Sequence, residues 1–191
     1  MRLLSFLAAL VGMFMAAALA AQVPAPGAPP APDPENTWLL DLSTGGRVAI
    51  QLRPDAAPAH VERIKTLTRR GFYNGLTFHR VIEGFMAQGG DPTGTGTGGS
   101  DLPNIPAEFT QEPFKRGSVG MARSQSPNSA NSQFFICYEG CAPLTGQYTL
   151  FGEVVSGMDV VDKIKKGSSA NNGQVSGPDK IVKMQLAADA K

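Results

Sequence analysis

The chain has 191 residues, 42% of them hydrophobic, which suits one domain with a single core and leaves some residues to spare. Its formal charge is +1 and falls to about zero without Arg2, with no long run of like charge, so nothing marks it for nucleic acid or anionic lipid. Its 22 glycines and 15 prolines point to many turns and at least one linker.

Residues 1–20, MRLLSFLAALVGMFMAAALA, place one cation at Arg2, an apolar run from Leu3, and Ala18-Leu19-Ala20 ahead of Ala21 and Gln22. That is the layout of a cleavable signal peptide, with small residues where the peptidase must fit them. An uncleaved anchor is the alternative, because the apolar run is nearly long enough to span a bilayer. No cysteine follows the run, which argues against a lipid anchor. The reading is an exported chain with no membrane attachment after cleavage. Residues 21–35 form an Ala/Pro-rich linker with almost nothing to bury, a semi-rigid spacer rather than a ligand for a proline-binding module. The folded domain is expected over residues 36–191.

Within it, residues 37–43 (TWLLDLS) and 47–52 (RVAIQL) read as strands around a Thr44-Gly45-Gly46 hairpin turn. Residues 59–70 carry Val61, Ile64 and Leu67 at helical spacing, with Pro58 at the first turn, Arg69 and Arg70 in the last, and Gly71 as the stop. His60 reads as a solvent-facing residue without a role. Strands follow near residues 117–124, 133–138 (QFFICY) and 148–155, then a helix over 158–165 and a last strand over 181–187. Without βαβ alternation, about eight short strands and two helices predict a mainly β fold. The expectation is a closed eight-stranded antiparallel barrel capped by two α-helices.

Residues 78–99, FHRVIEGFMAQGGDPTGTGTGG, set Arg80 among apolar, amide and glycine residues. A buried charge must be paired or it costs several kcal/mol. The segment is therefore either a surface strand, or a groove where one fixed cation meets a polar atom of an apolar ligand. Other chemistries lack their parts. Two distant histidines and Cys137-x-x-x-Cys141 make a weak metal signal. His79 has no G-x-S-x-G serine to activate, and no paired carboxylates cluster near Arg80. Residues 94–99 satisfy G-x-G-x-x-G, yet Asp91-Pro92 precedes them and Asp101-Leu102-Pro103 follows, instead of the strand and helix that motif needs. Those glycines serve a tight turn. In QFFICY, alternation directs Phe134 and Ile136 to the interior and leaves Phe135 outward beside Gln133, a ligand surface.

FHRVIEGFMAQGGDP, followed by MARSQSPNSANSQFFI at residues 121–136, closely resembles the cyclophilins, the cyclosporin-binding peptidyl-prolyl cis-trans isomerases. The resemblance covers essentially residues 38–186 and is greatest to exported bacterial members, which implies a periplasmic location in a Gram-negative cell. It implies the eight-stranded barrel with two helices, an active groove on its outer face, no cofactor or metal, and Pro-containing unfolded or partly folded polypeptides as partners of a monomer. By motif position, Arg80, His79 and Gln88 match the catalytic arginine, the histidine before it and the glutamine that steadies it. Phe85, Met86, Phe135 and Leu144 match the proline pocket, and Gln133 another groove amide. Ala122 and Arg123 match the edge that binds substrate backbone, where the family often has Asn at Arg123. Tyr148 stands where members have His or Tyr.

Three positions depart from the family pattern. Glu83 replaces a usual Pro in a turn. Pro143 replaces the Trp of cyclosporin-sensitive members, which implies weaker inhibition by that drug. Gly120 replaces a frequent Ser without evident consequence. A module that only holds Pro-containing segments would lose the arginine or its glutamine partner, and both are present. In an exported domain Cys137 and Cys141 are either bridged, or Cys137 is packed and Cys141 free.

Overall fold

The computed structural model describes residues 33–191, so the expected signal peptide and residues 21–32 of the expected linker lie outside the described residues. Residues 33–35, read above with the linker, are packed onto the domain. The Asp33 carboxylate accepts from the Glu35 N–H and the Asn36 amide, capping a 3₁₀ turn at Pro34–Asn36. Glu35 then pairs with Arg69 at 2.9 Å.

Among the described residues eight strands and two α-helices follow in chain order: β1 Thr37–Leu42, β2 Arg47–Leu52, α1 Pro58–Arg69, β3 Arg80–Ile82, β4 Met86–Gly89 and β5 Ser118–Met121, then β6 Phe134–Cys137, β7 Leu150–Ser156, α2 Met158–Asp162 and β8 Ile181–Leu186. All pairings are antiparallel, in the order β3-β4-β6-β5-β7-β2-β1-β8.

The expected closure is not made by a strand ladder. β3 and β8 are the two ends of the sheet and do not pair with each other. The segments beside them bridge the gap instead: Thr77 pairs with Lys180, the Phe78 N–H donates to Asp179 O at 2.9 Å, the Gly75 N–H to Ile181 O at 2.7 Å and the Ile181 N–H to Leu76 O at 2.8 Å, without extending into a strand pairing. The result is a curled half-barrel.

Its concave face holds the main core. Trp38 lies edge-on to Phe134 at 5.0 Å and Tyr73 at 5.6 Å, and its indole N–H reaches the Thr68 hydroxyl at 2.9 Å. α1 closes one end with Val61, Ile64 and Leu67 inward, as its spacing predicts. His60 lies on the same stripe. It is 0% exposed, and its Nδ1 meets Glu108 Oε2 at 2.6 Å, which overturns the solvent-facing reading. A side chain one position before Val61 and four before Ile64 has no route to water once the helix docks.

α2 stops at Asp162, three residues short of the expected end. The Lys163 and Ile164 N–H groups bond three residues back, to Val160 O and Val161 O, and the helix tightens into a turn.

Candidate active site

The residues that the sequence singles out on these strands lie on the convex face of β3, β4, β6 and β5. Registers align Arg80 with Gln88, Gln88 with Phe135, and Phe135 with Gly120, so one row of residues crosses four strands. A second row joins Ile82, Met86 and Cys137. Period-2 alternation turns both rows away from the main core, while Val81, Ala87, Phe134 and Ile136 fill it.

Phe135 is not the exposed aromatic that alternation alone implies. It is 4% exposed, at the centre of a second apolar cluster with Met86, Phe114, Cys137, Cys141 and Leu150. Phe114 stacks on it at 5.7 Å and Tyr148 meets it edge-on at 5.7 Å. Alternation gave the correct face; the loops that roof that face come from distant sequence.

A cavity of ≈ 500 Å³ opens over this cluster. His79, Arg80, Phe85, Met86, Gln88, Ala122, Arg123, Phe135, Leu144 and Tyr148 all line it. Gln133 lines the adjoining cavity of ≈ 560 Å³, and Gln88, Gly96, Ala122 and Arg123 border both. Pro143 is exposed and lines neither.

Arg80 is held by neutral acceptors. Its Nη1 donates to Gln88 Oε1 at 3.1 Å, its Nε to Asn172 O at 3.0 Å and its Nη2 to Asn172 Oδ1 at 2.9 Å. Burial pulls its pKa below the ordinary arginine value, but a guanidinium starts so far above neutrality that it stays charged. Gln88 Nε2 donates to Gln133 Oε1 at 2.9 Å, and Gln133 Nε2 donates to Gly96 O and Gly98 O at 3.1 and 2.8 Å. A row of amides thus runs from Arg80 to the glycine loop.

That loop is a turn, as its flanks suggest, and Asp91 organises it. The buried carboxylate accepts from the Thr93 N–H and hydroxyl and from the Gly96 and Gly98 N–H groups, at 2.6–3.2 Å. Burial pushes the Asp91 pKa up, and these bonds outweigh it, so the net shift is downward. His79 lies beneath Gly96, 5% exposed, with no hydrogen bond at either ring nitrogen. Burial lowers its pKa, which keeps it neutral. It shapes the cavity floor and gives no sign of proton transfer.

Arg123 is anchored, not free. Its guanidinium donates to the carbonyls of Gln147, Ser124 and Gln125 and lies over the Tyr148 ring at 4.5 Å. The Ala122 N–H donates to Gln133 O at 2.9 Å.

Cys137 and Cys141 form a disulfide, with Cα atoms 5.9 Å apart. It ties the end of β6 to the 3₁₀ turn Ala142–Leu144, which places Leu144 in the cavity wall.

Sequence reasoning missed Asp91, Phe114 and Asn172. Asp91-Pro-Thr-Gly is an Asx-turn signal that could have identified Asp91. Asn172 precedes Gly173 in a loop, which marks a site for left-handed backbone but names no partner 92 residues away.

A family model described as cyclophilin-type peptidyl-prolyl cis-trans isomerase matches residues 39–186. The chain is 60% identical over 172 residues to a probable peptidyl-prolyl cis-trans isomerase of Brucella suis, covering 84% of this chain and 87% of that one. It is 40% identical over 144 residues to peptidyl-prolyl cis-trans isomerase B of Bacillus subtilis, covering 74% and 99%. Among solved structures, the cyclophilin AquaCyp293 of Hirschia baltica superposes with a TM-score of 0.73 at 28% identity, over 83% of this chain and 76% of that one. A Cryptosporidium parvum cyclophilin-type isomerase, crystallised in the presence of the dipeptide Ala-Pro, superposes with a TM-score of 0.70 at 28% identity, over 78% and 98%. With one apolar cavity wall facing a guanidinium held by neutral acceptors, and a family match over nearly the whole folded part, the chain belongs to the cyclophilin-type peptidyl-prolyl cis-trans isomerases.

Proposed function

We propose that this isomerase accelerates rotation about X-Pro bonds in exported polypeptides, with Arg80 as the hydrogen-bond donor to the twisted amide. The carrying observation is the pairing of an apolar cavity wall, Phe85, Met86, Phe135 and Leu144, with a guanidinium that retains unused N–H groups beside it. The wall suits a proline ring, the residue that a neighbouring family member met as Ala-Pro.

Peptide rotation meets a barrier of about 18–20 kcal/mol because twisting breaks conjugation. As conjugation is lost, the nitrogen lone pair localises on the prolyl nitrogen. An N–H of Arg80 aimed there favours the twisted state over both planar ones. The walls hold the ring still and exclude water, so the bond acts in a low-dielectric site. No bond is made or broken, and neither nucleophile nor proton carrier is needed. A neutral, hydrogen-bond-free His79 is consistent with that.

Export is supported by the sequence of residues 1–20 and by the disulfide, which suits an oxidising compartment. The periplasm of a Gram-negative cell is the compartment we favour, with unfolded or partly folded proteins as clients. The large exposed apolar side chains among the described residues are Phe109, Val155 and Val182, too few for an apolar subunit interface, and we take the working unit to be one chain.

The test is Arg80→Ala, assayed on a chromogenic X-Pro peptide and on proline-limited refolding. Turnover should fall by roughly 10²–10³-fold, the scale for losing one preorganised donor, with the fold intact by circular dichroism. Near-wild-type turnover in the variant would sink the assignment of Arg80, whereas absence of turnover in the wild-type chain would favour a module that merely holds Pro-containing segments.

A further inference from the structure

We infer that Asn172 is a positioning residue for Arg80, and that its lack of charge matters as much as its hydrogen bonds. The inference rests on Arg80 being the catalytic donor. Of the five guanidinium N–H groups, three are used within the protein, and Asn172 takes two of them through its main-chain and side-chain oxygens. The two that remain are the ones a twisted prolyl amide can use.

No carboxylate stands within 4.0 Å of the Arg80 nitrogens among the described residues, whereas Arg47 and Arg70 pair with one carboxylate each and Arg53, Arg69 and Arg116 with two. A carboxylate would hold the guanidinium as firmly but would cancel the charge that strengthens its bond to the substrate. Two amides, Asn172 and Gln88, fix the direction of the cation and leave its charge in place.

The backbone shows how closely Asn172 is specified. Its φ of 52° makes it the one non-glycine residue with positive φ among the described residues, a conformation that Asn tolerates better than most. It caps the 3₁₀ turn Ser169–Asn171, its N–H donating to Ser169 O at 3.3 Å. The same segment is fastened to the residues on both sides of Arg80. The Val81 N–H donates to Gly173 O at 2.8 Å, the Gly167 N–H to Val81 O at 2.9 Å and the Val175 N–H to His79 O at 3.0 Å. Donor and holder are thus clamped to each other by main chain, so a small displacement of Asn172 reaches the guanidinium directly.

Two substitutions separate geometry from charge, and both accept positive φ. Asn172→Gly keeps the main-chain bond and removes Oδ1; Asn172→Asp keeps the size and adds a negative charge. Each is made in the full chain and in the Arg80→Ala background. The readouts are kcat and KM for an Ala-Pro peptide, from direct observation of cis–trans exchange by NMR. Both single variants should lose about tenfold in kcat, Asn172→Asp the more, with KM within about twofold because the proline walls are untouched. In the Arg80→Ala background, Asn172→Asp should change kcat by less than about twofold, since the group it acts through is gone.

A wild-type kcat in Asn172→Asp overturns the inference. So does a loss carried by KM, or an equal loss in both backgrounds, either of which marks a structural role. If Asn172→Asp does not fold, Asn172→Gly decides by the same criteria. Loss of activity in Arg80→Ala beside normal activity in the Asn172 variants overturns this inference and leaves the role of Arg80 standing.

Discussion

At Gly120 one missing methyl group decides the shape of the site. A Cβ built there would collide with the Phe135 ring and come within 2.7 Å of Phe114 Cε1. The departure from Ser, silent in the sequence, is therefore read by the cavity: the bare backbone lets Phe135 lie flat across β5 under Phe114. Gly120→Ser should force the ring outward, lowering stability by about 1–3 kcal/mol and raising KM for a proline peptide. An unchanged urea midpoint together with an unchanged KM would refute this. Residues were legible in the sequence where function rests on a local motif. Arg80, Phe85, Met86 and Gln88 sit within nine positions, and alternation together with the hairpin register puts Arg80, Met86 and Gln88 on one face. Residues were illegible where a role depends on a partner brought by topology, as with Asn172 on Arg80 or Phe114 on Phe135. His60 is a different case. Its place on the buried stripe of α1 was visible in the helical period, and its polarity masked it.

Among the elements, the β3–β4 hairpin does the most with the least chain. Its turn, residues 82–85, closes with the Phe85 N–H on Ile82 O at 3.0 Å and has Gly84 at φ +70°, a value that suits the third position of a tight turn. Glu83 occupies the second position, where proline pre-sets the required φ. Glu83→Pro should stabilise the domain by about 0.4–1 kcal/mol, through a stiffer unfolded chain, without altering turnover. A lower melting temperature would show that this turn needs the Glu83 N–H. Strands and α1 were readable from period and punctuation because each buries one face. The open sheet was not, because alternation is the same in a closed barrel and a curled half-barrel. What distinguishes them is whether the two end strands, β3 and β8, pair with each other, and alternation within a strand does not report on that.

Across the described residues, two buried histidines and two hydrogen-bonded carboxylates shift the same way, downward. Burial lowers the pKa of His60, and the bond to Glu108 only partly offsets it; burial likewise lowers that of His79. The unfolded chain then takes up these protons first, near the usual histidine value of about 6.5, so their contribution is complete above that pH and falls as pH drops through it. Glu108 and Asp91 are raised by burial and lowered further by their hydrogen bonds, so what they add persists above the usual carboxylate range and is lost in more acidic solution. The melting temperature should decline between pH 7 and pH 5 and drop more steeply below about pH 4. His60→Gln should flatten the first decline; an identical slope in wild type and variant would locate the proton uptake elsewhere. The row of amides between the two cavities has a consequence of its own. A guanidinium can only donate, so it obliges Gln88 to present its oxygen, hence Gln133 to present its oxygen in turn, and leaves donors alone for the Gly96 and Gly98 carbonyls. The row has a polarity, read from the cation outward like a sentence that makes sense in one direction. Turning Gln88 over would therefore cost the row its order and loosen one fastening of the glycine loop, while the Asp91 carboxylate keeps the other.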